Sequence, residues 1–301
     1  KRWECNPLID IVDLDFNCSD VLNAGCVSFE GGVILLVTIE HLSGKRYVHL
    51  ARPYKDRHYM VDSEPFIAPC SEPAFKSHEV NGVLDARVTF LEGTYYITYI
   101  ALGKHGYRLA LAKTEDFKSV ERIGLISEPD TKTGVLFPKR IKGRYARLER
   151  PREGHSIWIT YSDDLIHWGS SEVVISPRDG FWDTSRIGVG SVPMEIEQGW
   201  IVLYYGAKDT AAGPIYRIGA VILDKNDPAI VAGRAGIPIL SPRENYERIG
   251  DIPNIVFSTG ALMKENGEIE IFYGAANSCI CIGTTTVDQI VENCIRSREE
   301  Y

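Results

Sequence analysis

The chain has 301 residues, 44% of them hydrophobic, with a net charge of −8 and an isoelectric point near 5.5. That is ample material for a large core, and without clustered Lys and Arg it excludes a nucleic-acid or membrane-surface footprint. No apolar run approaches the roughly 18 residues of a membrane span; the longest, VILLV at 33–37, is strand-sized.

The opening KRWECNPLID lacks the apolar core of a secretory leader, so a cytoplasmic protein is expected. The seven cysteines (Cys5, Cys18, Cys26, Cys70, Cys279, Cys281 and Cys294) are odd in number and contain no CxxC. They suit reduced, mostly buried thiols better than a disulfide framework. No His/Cys grouping has zinc spacing, and no metal is expected.

Five segments share one layout: a polar turn with Gly, a β-rich run, a second turn and another β-rich run. They are FEGGVILLVTIEHLSGKRYVHLARP from Phe29 and FLEGTYYITYIALGKHGYRLALAKT from Phe90, then IKGRYARLERPREGHSIWITYSDD from Ile141. The fourth is EQGWIVLYYGAKDTAAGPIYRIGAVILD from Glu197, and the fifth ENGEIEIFYGAANSCICIGTTTVD from Glu265. Their turn glycines, Gly32, Gly93, Gly143, Gly199 and Gly267, are 61, 50, 56 and 68 residues apart. Runs such as TYYITYI and IVLYYGA are β-branched and aromatic, and the turns supply positions for positive φ. Only VDQIVENCI reads as a short amphipathic helix.

The predicted fold is all-β, a single five-bladed β-propeller spanning residues 1–301 with a short terminal extension. A β-sandwich is the alternative, although its strands recur about every 8–12 residues without this longer period.

Propeller inner strands converge on a central channel, so polar residues entering them are candidate site residues. Asp85 stands alone among apolar residues in GVLDARVT, just before the Arg87–Phe90 run. It reads either as a turn cap or a partner for Arg87, or as a channel residue. Asn23, Arg186, Asn254 and Asn277 occupy comparable places, about once per blade. A ring of amide, carboxylate and guanidinium groups with aromatic neighbours suits a polyhydroxylated ligand. The basic stretch RYARLERPR reads as a solvated hairpin, except that alternation puts Arg150 on one face with Leu148 and Ala146. GVG at 188–190 lacks a strand–turn–helix context, and no GxxxxGK[ST] or GxSxG occurs.

The segments LDARVTFLEGTYYITY, VLFPKRIKGRYARLERP, GHSIWITYSDDLIHWG, WDTSRIGVGSVP, YRIGAVILDKNDP and IPNIVFSTGAL resemble glycoside hydrolase family 130, the β-mannoside phosphorylases and β-1,2-mannosidases. The resemblance covers nearly the whole chain and implies the same five-bladed propeller. It implies that Asp85 is the general acid, although the family's acid-Asp-Pro-Arg motif here reads Leu84-Asp85-Ala86-Arg87. It assigns phosphate binding to Arg150, Arg186 and Tyr205, the last standing where many phosphorylases have His. It assigns substrate binding to Asn23, Arg46, Arg87, His167, Tyr216, Asn254, Phe257 and Asn277. Thr38 replaces a family Arg and Asn277 a family Asp.

Three activities follow from the resemblance. Inverting phosphorolysis of a β-mannoside to α-mannose 1-phosphate is favoured by Arg150 and Arg186. Phosphate-independent β-1,2-mannosidase activity is favoured by Glu149, a candidate base where Asn is common, by Tyr205 and by the altered motif around Asp85. A sugar-binding propeller without turnover is favoured by the departures at Thr38, Ala86 and Asn277. The expected partners are an oligosaccharide and inorganic phosphate as co-substrate, with no other cofactor, nucleic acid or membrane; self-association is common in the family.

Overall fold

The computed structural model describes residues 1–55 and 58–299. The chain is all-β, built of five successive antiparallel meanders. Each of the five sequence repeats supplies the second and third strands of one meander. In the first, Gly32–His41 and Arg46–Lys55 lie between the inner strand Cys18–Phe29 and the outer His58–Val61. The second runs through Gly82–Leu91, Thr94–Gly103, Gly106–Thr114 and Glu121–Leu125. The third runs through Thr131–Leu136, Tyr145–Pro151, Ile157–Ser162 and Trp168–Ile175. The fourth has inner strand Arg186–Val189, then Gly199–Thr210, Gly213–Leu223 and Val231–Arg234, with Met194–Ile196 added beside Gly199–Thr210.

The fifth meander is completed from the other end of the chain. Its strands Val256–Met263, Glu268–Ala275 and Cys279–Thr286 are joined by Ile9–Asp10, which pairs with Cys279–Thr286. A single parallel bridge, Arg46 to Gly82, links the first two meanders into one eight-stranded sheet; the other three form separate sheets.

The hairpin turns behave as their residues dictate. Glu92–Gly93 and Lys142–Gly143 adopt positive φ, as tight primed turns require. In the first repeat this pair is Glu30–Gly31, one residue earlier than the expected Gly32. The predicted helix is present and longer, Val287–Glu299; Ile290 and Cys294 on it are buried against the fourth and fifth meanders.

Alternating apolar residues form five cores, each between two consecutive meanders. Leu36, Val83 and Tyr99 belong to the core between the first and second. Ile100, Leu109 and Leu136 lie between the second and third, and Phe137, Trp200 and Val221 between the third and fourth. Leu203, Ile218 and Ile271 lie between the fourth and fifth, while Val21, Leu35 and Phe272 join the fifth to the first. Neighbouring meanders also touch directly. Thr89 and Thr98 hydroxyls donate to carbonyls of Leu136 and Gly134, and the Val189 amide donates to Thr133 Oγ1. A Cβ on Gly260 would lie 2.7 Å from the Ala24 carbonyl oxygen, so the fifth and first inner strands meet backbone to backbone.

A buried carboxylate repeats in three meanders. Glu79 accepts from Tyr99 and Arg122, Asp183 from Tyr204 and Arg234, and Glu247 from Tyr273 and Arg2. Each carboxylate side chain has no exposed surface and precedes an inner strand in the chain. Removing either partner of such a pair strands a buried charge, so these links fix the loops that enter the inner strands. All seven cysteines are free thiols. Among the described residues no helix is long and apolar enough to cross a membrane.

Candidate active site

The irregularities of the inner strands shape one cavity of about 480 Å³. Strand register slips between Leu84 and Arg87, leaving Asp85 and Ala86 outside the ladder. The same happens between Val21 and Ala24, releasing Leu22 and Asn23, and between Thr131 and Thr133, releasing Lys132. Such bulges re-aim side chains, and Leu22, Asn23, Asp85 and Lys132 all line the cavity.

Asp85 is held firmly. Its φ is +56°, a left-handed conformation that a non-glycine residue keeps only under constraint. Its amide donates to Thr38 Oγ1 at 2.9 Å, and its Oδ1 accepts from Asn23 Nδ2 at 2.7 Å. Thr38, a departure from the family pattern, thus supports the bulge. On the far side, Gly25 makes room for the Ala86 carbonyl, whose oxygen would lie 2.2 Å from a Cβ at that position. The carboxyl is 3% exposed, and it is the one acidic side chain among the described residues that line the cavity.

Cations face it. Lys132, Arg150, Arg152 and Arg186 all contribute to the wall. Arg150 is 3% exposed; its Nη2 donates to Tyr205 Oη at 2.6 Å, while its buried Nε has no partner. Arg186 Nε donates to Tyr216 Oη at 2.8 Å, with Asp209 3.2 Å from Nη2. The Tyr205 and Tyr216 rings lie 5.7 Å apart, and Tyr205 packs 4.9 Å from Phe257. Gly188 is required beneath Tyr205, since a Cβ there would sit 2.3 Å from its ring. His155 completes this wall. Burial first, then Arg150, Arg186 and Arg152, hold its imidazole below the ordinary value, so it is neutral at pH 7. Its Nδ1 is also buried without a partner. An unpartnered guanidinium donor and an unpartnered imidazole nitrogen, set among further cationic side chains, form a pocket suited to an anion with several acceptor oxygens.

The opposite rim is mixed. Arg46 lines the cavity with its Nε on Glu40 at 2.9 Å, and Asn277 reaches Asp251 at 3.2 Å. Burial, then the carboxylates of Asp251 and Glu40, push Asp20 up to about 6.

The cavity therefore gathers Asn23, Arg46, Asp85, Arg150, Arg186, Tyr205, Tyr216, Phe257 and Asn277. Four expected residues lie elsewhere. Arg87 is 1% exposed, lies outside the cavity lining and donates from all three guanidinium nitrogens to the carbonyls of Asp85, Val189 and Gly190. His167 sits in an exposed turn, its Nδ1 2.7 Å from Asp164 Oδ2. Asn254 stands beside the cavity; its carbonyl accepts the Tyr216 amide hydrogen and anchors that ring. Glu149 points away from Arg150, as strand alternation demands, and accepts from Arg147 Nη2 at 2.7 Å. It is not a candidate base at this cavity.

Lys132, Arg152, His155 and Tyr107 were not foreseen. Arg152 and His155 follow Arg150 closely in RPREGH, so the signal lay in the basic stretch that reads as a solvated hairpin. Lys132 owes its position to a bulge, which no periodicity announces.

A family model described as beta-1,4-mannooligosaccharide phosphorylase matches residues 13–296. A β-1,2-mannobiose phosphorylase of Listeria innocua is 36% identical over 242 residues, 79% of this chain and 66% of that protein. A β-1,4-mannooligosaccharide phosphorylase of Ruminococcus albus is 30% identical over 305 residues, 97% of this chain and 89% of that protein. The solved Listeria innocua β-1,2-mannobiose phosphorylase in complex with β-1,2-mannobiose superposes with a TM-score of 0.88 at 29% identity, covering 98% of this chain and 99% of that one.

Proposed function

Because the chain belongs to glycoside hydrolase family 130 and is an enzyme acting on β-mannosides, we propose that it catalyses inverting phosphorolysis of a β-mannoside. Asp85 protonates the leaving oxygen, directly or through a mannosyl hydroxyl. Phosphate, bound by Arg150 and Arg186, attacks the anomeric carbon from the opposite face and becomes α-mannose 1-phosphate. The guanidinium groups hold the dianion while positive charge develops on the sugar. Asn23, Arg46, Tyr216, Phe257 and Asn277 receive the sugar, with Tyr205 setting the phosphate side.

The observation that carries this reading is that, among the described residues, one carboxyl faces a cavity lining otherwise rich in cations. Inverting hydrolysis needs a second carboxylate roughly 6.5–9.5 Å away to activate water. Glu149, the residue that would serve, is held by Arg147 outside the cavity. We read the five meanders as blades of one propeller. Five cores between consecutive meanders, the last joining the fifth to the first, support that closure.

The test is incubation of β-1,2- and β-1,4-mannobiose with and without inorganic phosphate. Mannose 1-phosphate formed only with phosphate is the expected result. Free mannose released at the same rate in its absence would refute phosphorolysis.

A further inference from the structure

Arg87 does not touch the cavity, yet its placement bears on the residue that does the chemistry. It lies two residues beyond Asp85 on the same strand, just after the bulge. Its Nη1 donates to the Asp85 carbonyl at 2.7 Å. Its Nε and Nη2 cross to the fourth meander's inner strand, reaching the carbonyls of Gly190 at 2.5 Å and Val189 at 2.9 Å. One planar guanidinium thus ties the bulge of the second meander to the fourth. Lysine could not reproduce this fork, because its ammonium is a single point on a flexible stem.

We propose that Arg87 is a positioning residue for Asp85, a cross-brace that holds the left-handed bulge and presents the carboxyl to the substrate; this rests on the reading of Asp85 as the general acid. Three constraints converge on the bulge: Thr38 on the Asp85 amide, Arg87 on its carbonyl and Gly25 beneath Ala86. A positive φ at a non-glycine residue persists where the surroundings over-determine it in this way. The brace also brings charge. Burial lowers the Arg87 guanidinium to about 10, with Asp85 and then Tyr205 opposing that shift, so it is cationic at pH 7. The other groups facing Asp85 across the cavity are Arg46, Lys132, Arg150, Arg152 and Arg186, with His155 neutral.

Arg87→Lys and Arg87→Met, each checked for folding by thermal melting, test the assignment through the kcat and KM values of steady-state kinetics, with Asp85→Asn alongside. Arg87→Lys keeps the charge and loosens the brace, so kcat should fall about 10- to 100-fold with little change in either KM. Arg87→Met removes the charge as well as the fork, so its kcat should fall at least as far. An unchanged kcat, or a raised KM with kcat preserved, in either variant overturns the proposal. If Arg87→Met does not fold, the kcat and KM values of Arg87→Lys decide. Loss of activity in Asp85→Asn with normal Arg87 variants sinks the brace alone; an active Asp85→Asn sinks the general-acid reading first.

Discussion

Arg150→Met would remove the guanidinium that the anion pocket centres on while keeping much of the side chain's apolar stem. In the unliganded protein Arg150 makes one hydrogen bond, to Tyr205, and leaves a buried Nε unpaired. A stranded buried donor costs about 1–3 kcal/mol, and a hydrogen bond to a charged group contributes about 1.5–3 kcal/mol. Losing both leaves the melting temperature without phosphate nearly unchanged. With phosphate bound the balance differs, because the Nε–H finds an acceptor oxygen. Loss of that bond, about 1.5–3 kcal/mol, corresponds to roughly 10- to 100-fold weaker phosphate binding at about 1.4 kcal/mol per tenfold. Initial phosphorolysis rates at varied phosphate should show this as a raised phosphate KM. Thermal melting should show a diminished phosphate-induced stabilisation. A variant that retains both its phosphate KM and its thermal response would refute the argument that Arg150 holds the anion.

Asp85→Asn preserves the contacts to Asn23 and Thr38 but carries no acidic proton; kcat should fall about 10²- to 10⁴-fold while the fold, followed by circular dichroism, persists. Gly25→Ala would drive a Cβ to 2.2 Å from the Ala86 carbonyl oxygen; displacement of the bulge should lower kcat and the melting temperature together, by about 1–3 kcal/mol in stability. His41 and His49 share a hydrogen bond, Nε2 to Nε2 at 2.9 Å, while His49 Nδ1 donates to the Asp62 carbonyl. Burial holds both imidazoles below the ordinary value of 6.5. The unfolded chain therefore binds more protons in this range, so their contribution is complete above pH 6.5 and is lost as the pH falls through the lowered values. Melting temperatures measured from pH 8 to 5 should decline on the acid side, and less steeply in His49→Gln; identical curves would remove the pair as a source of acid sensitivity.

Much of this architecture can be read from local chemistry. The turn pairs and β-branched runs announce the middle hairpin of every meander, because period-two alternation and positive-φ glycines are local properties. The bordering strands are harder to see. Arg186–Val189 and Ile9–Asp10 are short, and the second gains its strand character only by pairing with residues some 270 positions away. The same division holds at the cavity. Asp85, Arg150 and Tyr205 are legible because each is a polar residue in an apolar or aromatic setting. Arg87 carries the same signal, yet its donors are taken up by carbonyls of a different meander, which is a tertiary fact. Glu149 and Arg150 are neighbours in sequence and opposites in space, so alternation alone separates a cavity-lining cation from a structural ion pair. His167 matches a family position, but its imidazole is engaged by Asp164 in an exposed turn.

The strand contributed by Ile9–Asp10 sets a timetable for biogenesis. It cannot find its partner until Cys279–Thr286 has left the ribosome, which at about 5–20 residues per second takes tens of seconds. Throughout that interval Ile9–Asp10 waits as an open edge, available to any other nascent chain. Pairing Ile9–Asp10 with a strand some 270 residues further along therefore makes completion of that sheet a late event and concentrates the hazard of mispairing before it.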